Sequence, residues 1–492
     1  MDKNRITINK RTLEKSKKFE VYGDIIVPDI KPDIVNIINT NANTYIYKTE
    51  ISDGKVRVDG NIDAFVIYLA DNGETRSISI TLNFSEFIED SSILSGMKTK
   101  EKTTLLEIES KILNERKISV KAQIDVKAEM WEKEDIEFVN ANDEMIDVQK
   151  LEERLEVKSC VGENISKASI KENIKANGES KIAEILKTNV NLCNLENKIS
   201  YNKVLAKADA NISILYLSEE NNIEKLETTI PVMTFIDIQN VSDTNTCLVE
   251  YTIRNMLYKI DVKESLNVEV QIEYDVDCTV YENKEINVIQ DMYSTKSEIV
   301  FNQKEALIML ANEEEKEIVK VEDKVLVENI NSIYDVCFTP VINNKIVNGD
   351  IINYEAEVLV DILFEADNRN GINFQRVNVP FVFRSKKEIE SSDLIIETQN
   401  FGINNEYINC NLEINIRSQE MNMRKINIID NIESKENSEE DEYKMIVYFV
   451  KKGDTIWSIA KKFKVYMENI IKLNNLENPD KINVGDRLYI MR

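Results

Sequence analysis

The stretch VRVDGNIDAFVIY, residues 56–68, decides the fold of this chain. Its apolar positions alternate with polar ones over most of its length: Val56, Val58, Ile62, Ala64 and Val66. A period of two residues is typical of a β-strand with one buried face. An Asp-Gly pair precedes the stretch at 53–54 and an Asn-Gly pair follows at 72–73, and such pairs favour tight hairpin turns. The region therefore predicts an antiparallel sheet.

The end of this stretch recurs twice, each time 148 residues further along the chain. Val66-Ile67-Tyr68 returns as Ile214-Leu215-Tyr216 and Ile362-Leu363-Phe364, and Phe87 returns as Phe235 and Phe383. The segments 33–38, 181–186 and 329–334 share the spacing. A period this long indicates tandem domains rather than the turns of a solenoid. We predict repeat domains at 1–150, 151–295 and 296–432.

A short apolar cluster at residues 34–38 follows Pro32-Asp33, a pair that is common where helices begin. We therefore expect one or two helical turns there in each repeat. The predicted fold class is mainly β, with three tandem antiparallel β-rich repeat domains followed by a small βααβ domain.

Charge separates the body of the chain from its C-terminal end. The 492 residues contain 62 Lys and Arg against 88 Asp and Glu, for a net charge of −26. Residues 446–492 hold nine basic and five acidic residues, so the remainder carries −30. An acidic body argues against nucleic acid and anionic membranes as general partners.

Cysteine usage and the N-terminus favour a reducing compartment. The six cysteines are scattered without a C-x-x-C pair, which argues against a disulfide framework or a metal site. The first ten residues lack the apolar core of a signal peptide, and no run approaches the roughly 20 apolar residues of a membrane span. We expect a cytoplasmic protein without membrane insertion.

Residues 446–492 read as one compact module. A short alternating strand breaks at Gly453, and helical spacing then places four apolar residues on one face: Ile456, Ile459, Ala460 and Phe463. Asp454 or Thr455 can cap this helix. A second short helix follows, and residues 487–490 form a final strand. The predicted order is strand, helix, helix, strand.

This module resembles a LysM domain in Gly453–Ile456, in the helix Trp457-Ser458-Ile459-Ala460, in Leu473-Asn474 and in Ile482-x-Val484-Gly485-x-x-Leu488. The resemblance implies binding of N-acetylglucosamine glycans such as peptidoglycan or chitin, in a groove between two loops. One side of that groove would comprise Gly453, Asp454, Thr455 and Ile456, and the other Asn474, Pro479, Asp480 and Ile482. The alternative is that Gly453, Asp454 and Asn474 are only turn and cap residues. Trp457 and Tyr466 are either exposed anchors for a partner or partly buried packing residues.

The body resembles the SPOCS domains of clostridial and bacillar spore-coat morphogenetic proteins, in VPDIKPDI (residues 27–34) and in residues 55–68. Three copies, an acidic linker at 433–445 and a LysM tail are similar to the architecture of the SipL and SpoVID family. The resemblance implies a protein at the forespore surface, in the mother-cell cytoplasm, that binds a SpoIVA-like coat ATPase and other coat proteins. The linker has too little apolar content to fold and would act as a tether.

No sequence feature indicates catalysis. The chain has no histidine, no G-x-x-x-x-G-K-[ST] loop and no G-x-S-x-G elbow. We therefore predict a non-enzymatic adaptor without cofactor, metal or catalytic residues. The alternatives are a peptidoglycan-binding protein and a muralytic hydrolase with a LysM targeting tail.

Overall fold

The computed structural model describes residues 3–140, 147–176, 181–261, 266–311, 317–327, 330–349, 351–366, 369–386, 389, 391–404, 407–416, 422–436, 444–479 and 481–491. Among these residues, no helix has the length and apolar character that crossing a bilayer requires. Strands dominate, as the alternating sequence predicts.

The first repeat contains six strands arranged as two three-stranded antiparallel sheets. These are β1 (Lys3–Ile26), β2 (Ile34–Ser52), β3 (Lys55–Ala70), β4 (Thr75–Glu89), β5 (Lys98–Asn114) and β6 (Lys117–Val139). One sheet has the order β2-β3-β4 and the other β1-β6-β5. Because β1 also contacts β4 and β2 contacts β5, the two sheets face each other as a sandwich.

The second and third repeats have the same topology. The second comprises β7 (Val148–Lys175), β8 (Ile182–Ser200), β9 (Lys203–Ser218), β10 (Ile223–Asp237), β11 (Thr246–Ile260) and β12 (Asn267–Ser294). The third adds β13 (Ser297–Met309), β14 (Glu317–Leu326), β15 (Ile330–Asn348), β16 (Ile351–Ala366), β17 (Arg369–Ser385), β18 (Leu394–Asn404), β19 (Tyr407–Ile416) and β20 (Met423–Glu436). The sheet orders β8-β9-β10 and β7-β12-β11 match those of β15-β16-β17 and β14-β19-β18. The predicted three-repeat fold class is confirmed.

The core of each sandwich follows from the alternation in its central strands. In β3, every second side chain from Val56 to Tyr68 faces inward, except at the close approach of Gly60, and in β6 the same holds from Ile118 to Met130. These side chains are almost fully buried. The Asn72-Gly73 turn joins β3 to β4 as the sequence predicts, with the Gly73 amide donating to the Ala70 carbonyl at 3.0 Å.

The three repeats pack together in a ring. Strand β4 contacts β8, β10 contacts β15, and β17 contacts β2. An apolar cluster at the centre contains equivalent residues of all three repeats, including Ile67, Leu215 and Leu363. Between the second and third repeats, Asp335 accepts from Lys187 at 2.8 Å and lies 2.9 Å from Lys225.

The helical turns predicted at residues 34–38 are wrong, because this segment is the beginning of strand β2. Register shifts interrupt its pairing with β3 after Ile34 and Ile37. Ile34 and Ile37 pack in the core of their own repeat, whereas Ile38 joins the central cluster. A strand covered on both faces carries consecutive apolar residues, which periodicity alone does not distinguish from a short helix.

The outer ends of the long strands form two-stranded ribbons, one from each repeat. The first half of β1 pairs with the end of β6, β7 pairs in the same way with β12, and β13 pairs with β20. Side chains from all three ribbons share one apolar cluster. Strand β20 extends to Glu436, opposite Ser297, so residues 433–436 of the predicted linker are strand. Residues 437–443 lie outside the described part of the chain, and the domain boundaries remain predictions.

The C-terminal module has the predicted βααβ order. It comprises β21 (Met445–Phe449), α1 (Ile456–Phe463), α2 (Met467–Leu473) and β22 (Arg487–Met491), and the two strands pair antiparallel. Its core contains Ile456, Ile459, Ile470, Leu488 and Ile490.

Candidate functional site

The first loop of the module is held by one carboxylate. Gly453 has φ +90°, which favours glycine, and Asp454 follows it. The Asp454 Oδ2 atom accepts from the backbone amide of Lys451 at 2.7 Å and from the Tyr448 hydroxyl at 2.8 Å. These two hydrogen bonds lower the pKa of Asp454. The ionised Asp454 carboxylate therefore holds the loop conformation by accepting these two hydrogen bonds.

Thr455 caps helix α1 and keeps its backbone at the surface. Its hydroxyl accepts from the Ser458 amide at 3.0 Å, and its own amide donates to the Ser458 hydroxyl at 3.0 Å. This reciprocal pair is a capping box. Gly453 and Thr455 are exposed and Asp454 is half-buried, whereas the next residue, Ile456, is buried in the core of the module.

Asn474 connects the second helix to the last strand. Its side-chain amide donates to the carbonyls of Ile470 at 2.8 Å and Tyr489 at 2.7 Å, and its Oδ1 atom accepts from the Tyr489 amide at 2.7 Å. Both the nitrogen and the oxygen of the side-chain amide thus form hydrogen bonds with backbone groups. The geometry of Asn474 is that of a structural cap.

The second loop carries the other residues of the predicted groove. Pro479 is half-buried, and Ile482 packs against the core of the module. Asp480 lies outside the described residues. Backbone hydrogen bonds join Val450 to Asp486 at 2.9 Å and Gly485 to Val450 at 2.8 Å, so the ends of the two strands are fastened together. That the two loops bind a ligand stays a prediction.

Helix α1 contacts the body of the chain through Trp457 and Lys461. Both side chains donate to the Asp291 carboxylate near the end of β12, the indole Nε1 at 2.8 Å and the Lys461 Nζ at 2.5 Å. The Trp457 ring meets Tyr293 edge to face, with centroids 5.0 Å apart. This geometry is favourable for aromatic pairs.

The segment that joins the two helices makes two further contacts with the body. The Tyr293 hydroxyl donates to the Val465 carbonyl at 2.7 Å, and the Tyr466 hydroxyl donates to Asp147 at 2.6 Å. Burial raises the pKa of Tyr293 to about 12. The Tyr466 hydroxyl, with Lys296, lowers the pKa of Asp147.

Asp147, Asp291 and Tyr293 were not identified from the sequence. They belong to the body, and their partners lie more than 140 residues further along the chain. Among 88 acidic residues, no local pattern distinguishes these two carboxylates. The sequence pointed to this contact only through two aromatic residues of the module, Trp457 and Tyr466, which it marked as possible anchors for a partner.

A separate cavity of about 1710 Å³ is bordered by residues of all three repeats. Several charged side chains at its wall pair with each other, as in Arg254 with Asp275 at 2.9 Å. Among the described residues, those at its wall belong to the repeats and none to the C-terminal module.

Comparisons with known proteins agree with this architecture. A LysM domain model matches residues 448–490, and the SipL SPOCS domain model matches residues 33–113 and 181–261. The SPOCS matches start one residue before β2 and β8, and they include the adjoining strands β5 and β11. These matches confirm both resemblances. The third repeat is recognised here by its topology.

Two curated proteins show similarity over short segments. The secreted LysM effector ECP6 of Passalora fulva is 53% identical over 45 residues, which are 9% of this chain and 20% of that protein. An endolysin of Bacillus phage B103 is 41% identical over 58 residues, which are 12% of this chain and 22% of the endolysin. The chain thus spans about a fifth of the length of these relatives. No solved structure matches.

Proposed function

We propose that this chain, a sporulation-related LysM protein with two SPOCS domains in a SipL/SpoVID-like architecture, is a non-enzymatic adaptor of spore coat assembly. It works at the forespore surface in the mother-cell cytoplasm. There it binds a SpoIVA-like coat ATPase and other coat proteins and promotes encasement of the forespore. The joining of SPOCS domains to a LysM module in one chain is the observation that carries this proposal.

The surface of the module suits a protein partner. Lys451, Lys452, Gly453 and Thr455 are exposed on the first loop, and the module is basic while the body is strongly acidic. Loop residues held by a rigid scaffold are a common place for binding. The hydrogen bonds described for Asp454 and Thr455 stay within the module, and the exposed residues of the first loop are accessible to a partner.

Thr455→Asp in the full-length chain tests the proposal. Aspartate caps helices as well as threonine does and is favoured near a helix N-terminus, so the module should stay folded. The new carboxylate alters the groove loop. We expect weaker capture of the purified SpoIVA-like ATPase in a pull-down and by surface plasmon resonance.

Lys472→Ala is the matched control, because it changes the net charge by the same single unit. Lys472 is 76% exposed on α2, where it pairs with the equally exposed Glu468. We expect this variant to bind as the wild type does. Absence of any ATPase binding by the wild-type chain would refute the proposed partner.

Peptidoglycan binding by the same groove is the second candidate function. The exposed loop of the LysM module and the similarity to a secreted LysM effector and an endolysin favour it. Co-sedimentation with purified sacculi distinguishes the two functions. Loss of co-sedimentation in Thr455→Asp, with ATPase binding absent in the wild type, would establish the glycan function instead.

A further inference from the structure

The docking face of the LysM module is already occupied by the body of the chain. We define this face as Trp457, Lys461, Val465 and Tyr466, which contact Asp147, Asp291 and Tyr293. These contacts lie on the outer side of α1 and on the segment after it. The groove loops at 453–455 lie outside them. The module therefore has an exposed first loop and, separate from it, a face that the body engages in cis.

The contact consists of a few specific side-chain interactions. Asp291 is 26% exposed and Lys461 is 40% exposed at the side chain, so solvent weakens their attraction. Tyr293, by contrast, is 5% exposed, and its ring and hydroxyl both contact the module. Contacts between the domains of one chain resemble transient interfaces, which permit opening. Covalent connection nevertheless favours the closed state, because it keeps the module at a high effective concentration near the body.

The chemistry of the contact shows what the docking face recognises. An indole N–H and an ammonium share one carboxylate, a phenol donates to a backbone carbonyl, and a second phenol donates to a second carboxylate. A partner that uses this face must supply the same groups. The matching surface is acidic and carries an aromatic ring close to a carboxylate.

We propose that the body holds this docking face in cis as a competitive latch, and that an acidic, aromatic-bearing surface of the partner replaces it. The identity of that partner, the SpoIVA-like ATPase, rests on the proposed function. Contacts with the first loop form first, because Gly453 and Thr455 are exposed. The docking face becomes available only when the module leaves Asp147 and Asp291.

The test compares the full-length chain with the double variant Asp147→Ala/Asp291→Ala. In a Trp131→Phe background, Trp457 is the only tryptophan, and its acrylamide quenching should rise toward that of free tryptophan when the latch opens. Hydrogen exchange of residues 456–466, measured with Trp131 intact, should increase in parallel. If the latch is closed about nine-tenths of the time, release should tighten ATPase binding about tenfold.

The control is Glu282→Ala/Glu285→Ala, which removes two carboxylates from β12, the strand that carries Asp291. These carboxylates pair with Lys284 and Arg154, away from the module. The control should leave both quenching and affinity unchanged. Unchanged quenching and exchange in the Asp147 and Asp291 variant, and in a triple variant that adds Tyr293→Ala, would refute the latch itself.

The two measurements separate the possible failures. Increased quenching with unchanged or weaker ATPase binding would refute competition, although the contact with the body would be real. Increased quenching with no ATPase binding by any chain would refute the proposed function and the role of the latch in it. Increased quenching with about tenfold tighter binding supports both.

Discussion

The ion cluster between the second and third repeats offers the sharpest test of the ring. Asp335 bridges Lys187 at 2.8 Å and Lys225 at 2.9 Å, and the three side chains are 13%, 16% and 26% exposed. Asp335→Ala would remove the carboxylate that pairs with the largely buried Lys187, whereas Lys225 would keep its pair with Glu227 at 2.6 Å. The structure predicts a large loss of stability from this single change.

The expected magnitude follows from the burial of the cluster. Breaking a buried ion pair by removing one partner costs about 3–5 kcal/mol, because the remaining charge is left without compensation. Partial exposure places Asp335→Ala near the lower end, at about 3 kcal/mol. Replacing all three residues by apolar ones of similar size should be close to neutral, since the desolvation cost disappears together with the attraction.

The pH dependence has a definite sign. Burial alone would raise the pKa of Asp335, but Lys187 and Lys225 together reverse this effect and lower it. A carboxylate with a lowered folded-state pKa stabilises the protein above its unfolded pKa of about 3.9. This stabilisation is lost as the pH falls through the lowered value. Asp335→Ala should therefore show less acid destabilisation than the wild type below about pH 4.

Urea unfolding of the full-length chain, with hydrogen exchange of β8, β10 and β15, measures the effect. Glu413→Ala is the control, because its pair with Lys320 is 37% and 70% exposed and should contribute about 0–1 kcal/mol. Equal losses in the two variants would refute the argument. So would a triple apolar variant that is no more stable than Asp335→Ala.

Three further substitutions test the packing. Leu215→Ala, at the centre of the ring and 2% exposed, should cost about 2–5 kcal/mol in urea unfolding; a loss below about 1 kcal/mol would contradict the central cluster. Gly60→Ala would place its Cβ 2.2 Å from the Phe84 ring and should cost about 1–3 kcal/mol, whereas Gly96→Ala meets open space and should be nearly silent. Asn474→Ala removes three hydrogen bonds to backbone, so exchange in α2 and β22 should rise in the absence of any ligand; unchanged exchange would show that the cap is dispensable.

Much of the fold could be predicted because its determinants are local. The alternation in β3 and the turn at Asn72-Gly73 specify a hairpin whatever surrounds it. The apolar cluster at residues 34–38 could not be distinguished from a short helix by its periodicity. Neighbouring repeats cover the second face of this strand, and contacts between repeats leave no local pattern. The turn at Gly453 and the helix cap at Thr455 could be predicted, because their conformations depend on their immediate neighbours.

The sequence by itself therefore determined the strands, the 148-residue repeat and the LysM module. The tertiary structure decided that the repeats close into a ring and that Trp457 and Tyr466 contact the body. The physical reason is one of range. Backbone periodicity and turn geometry act between neighbours in the chain, whereas the contacts of Asp291 and Asp147 join residues 166 and 319 positions apart.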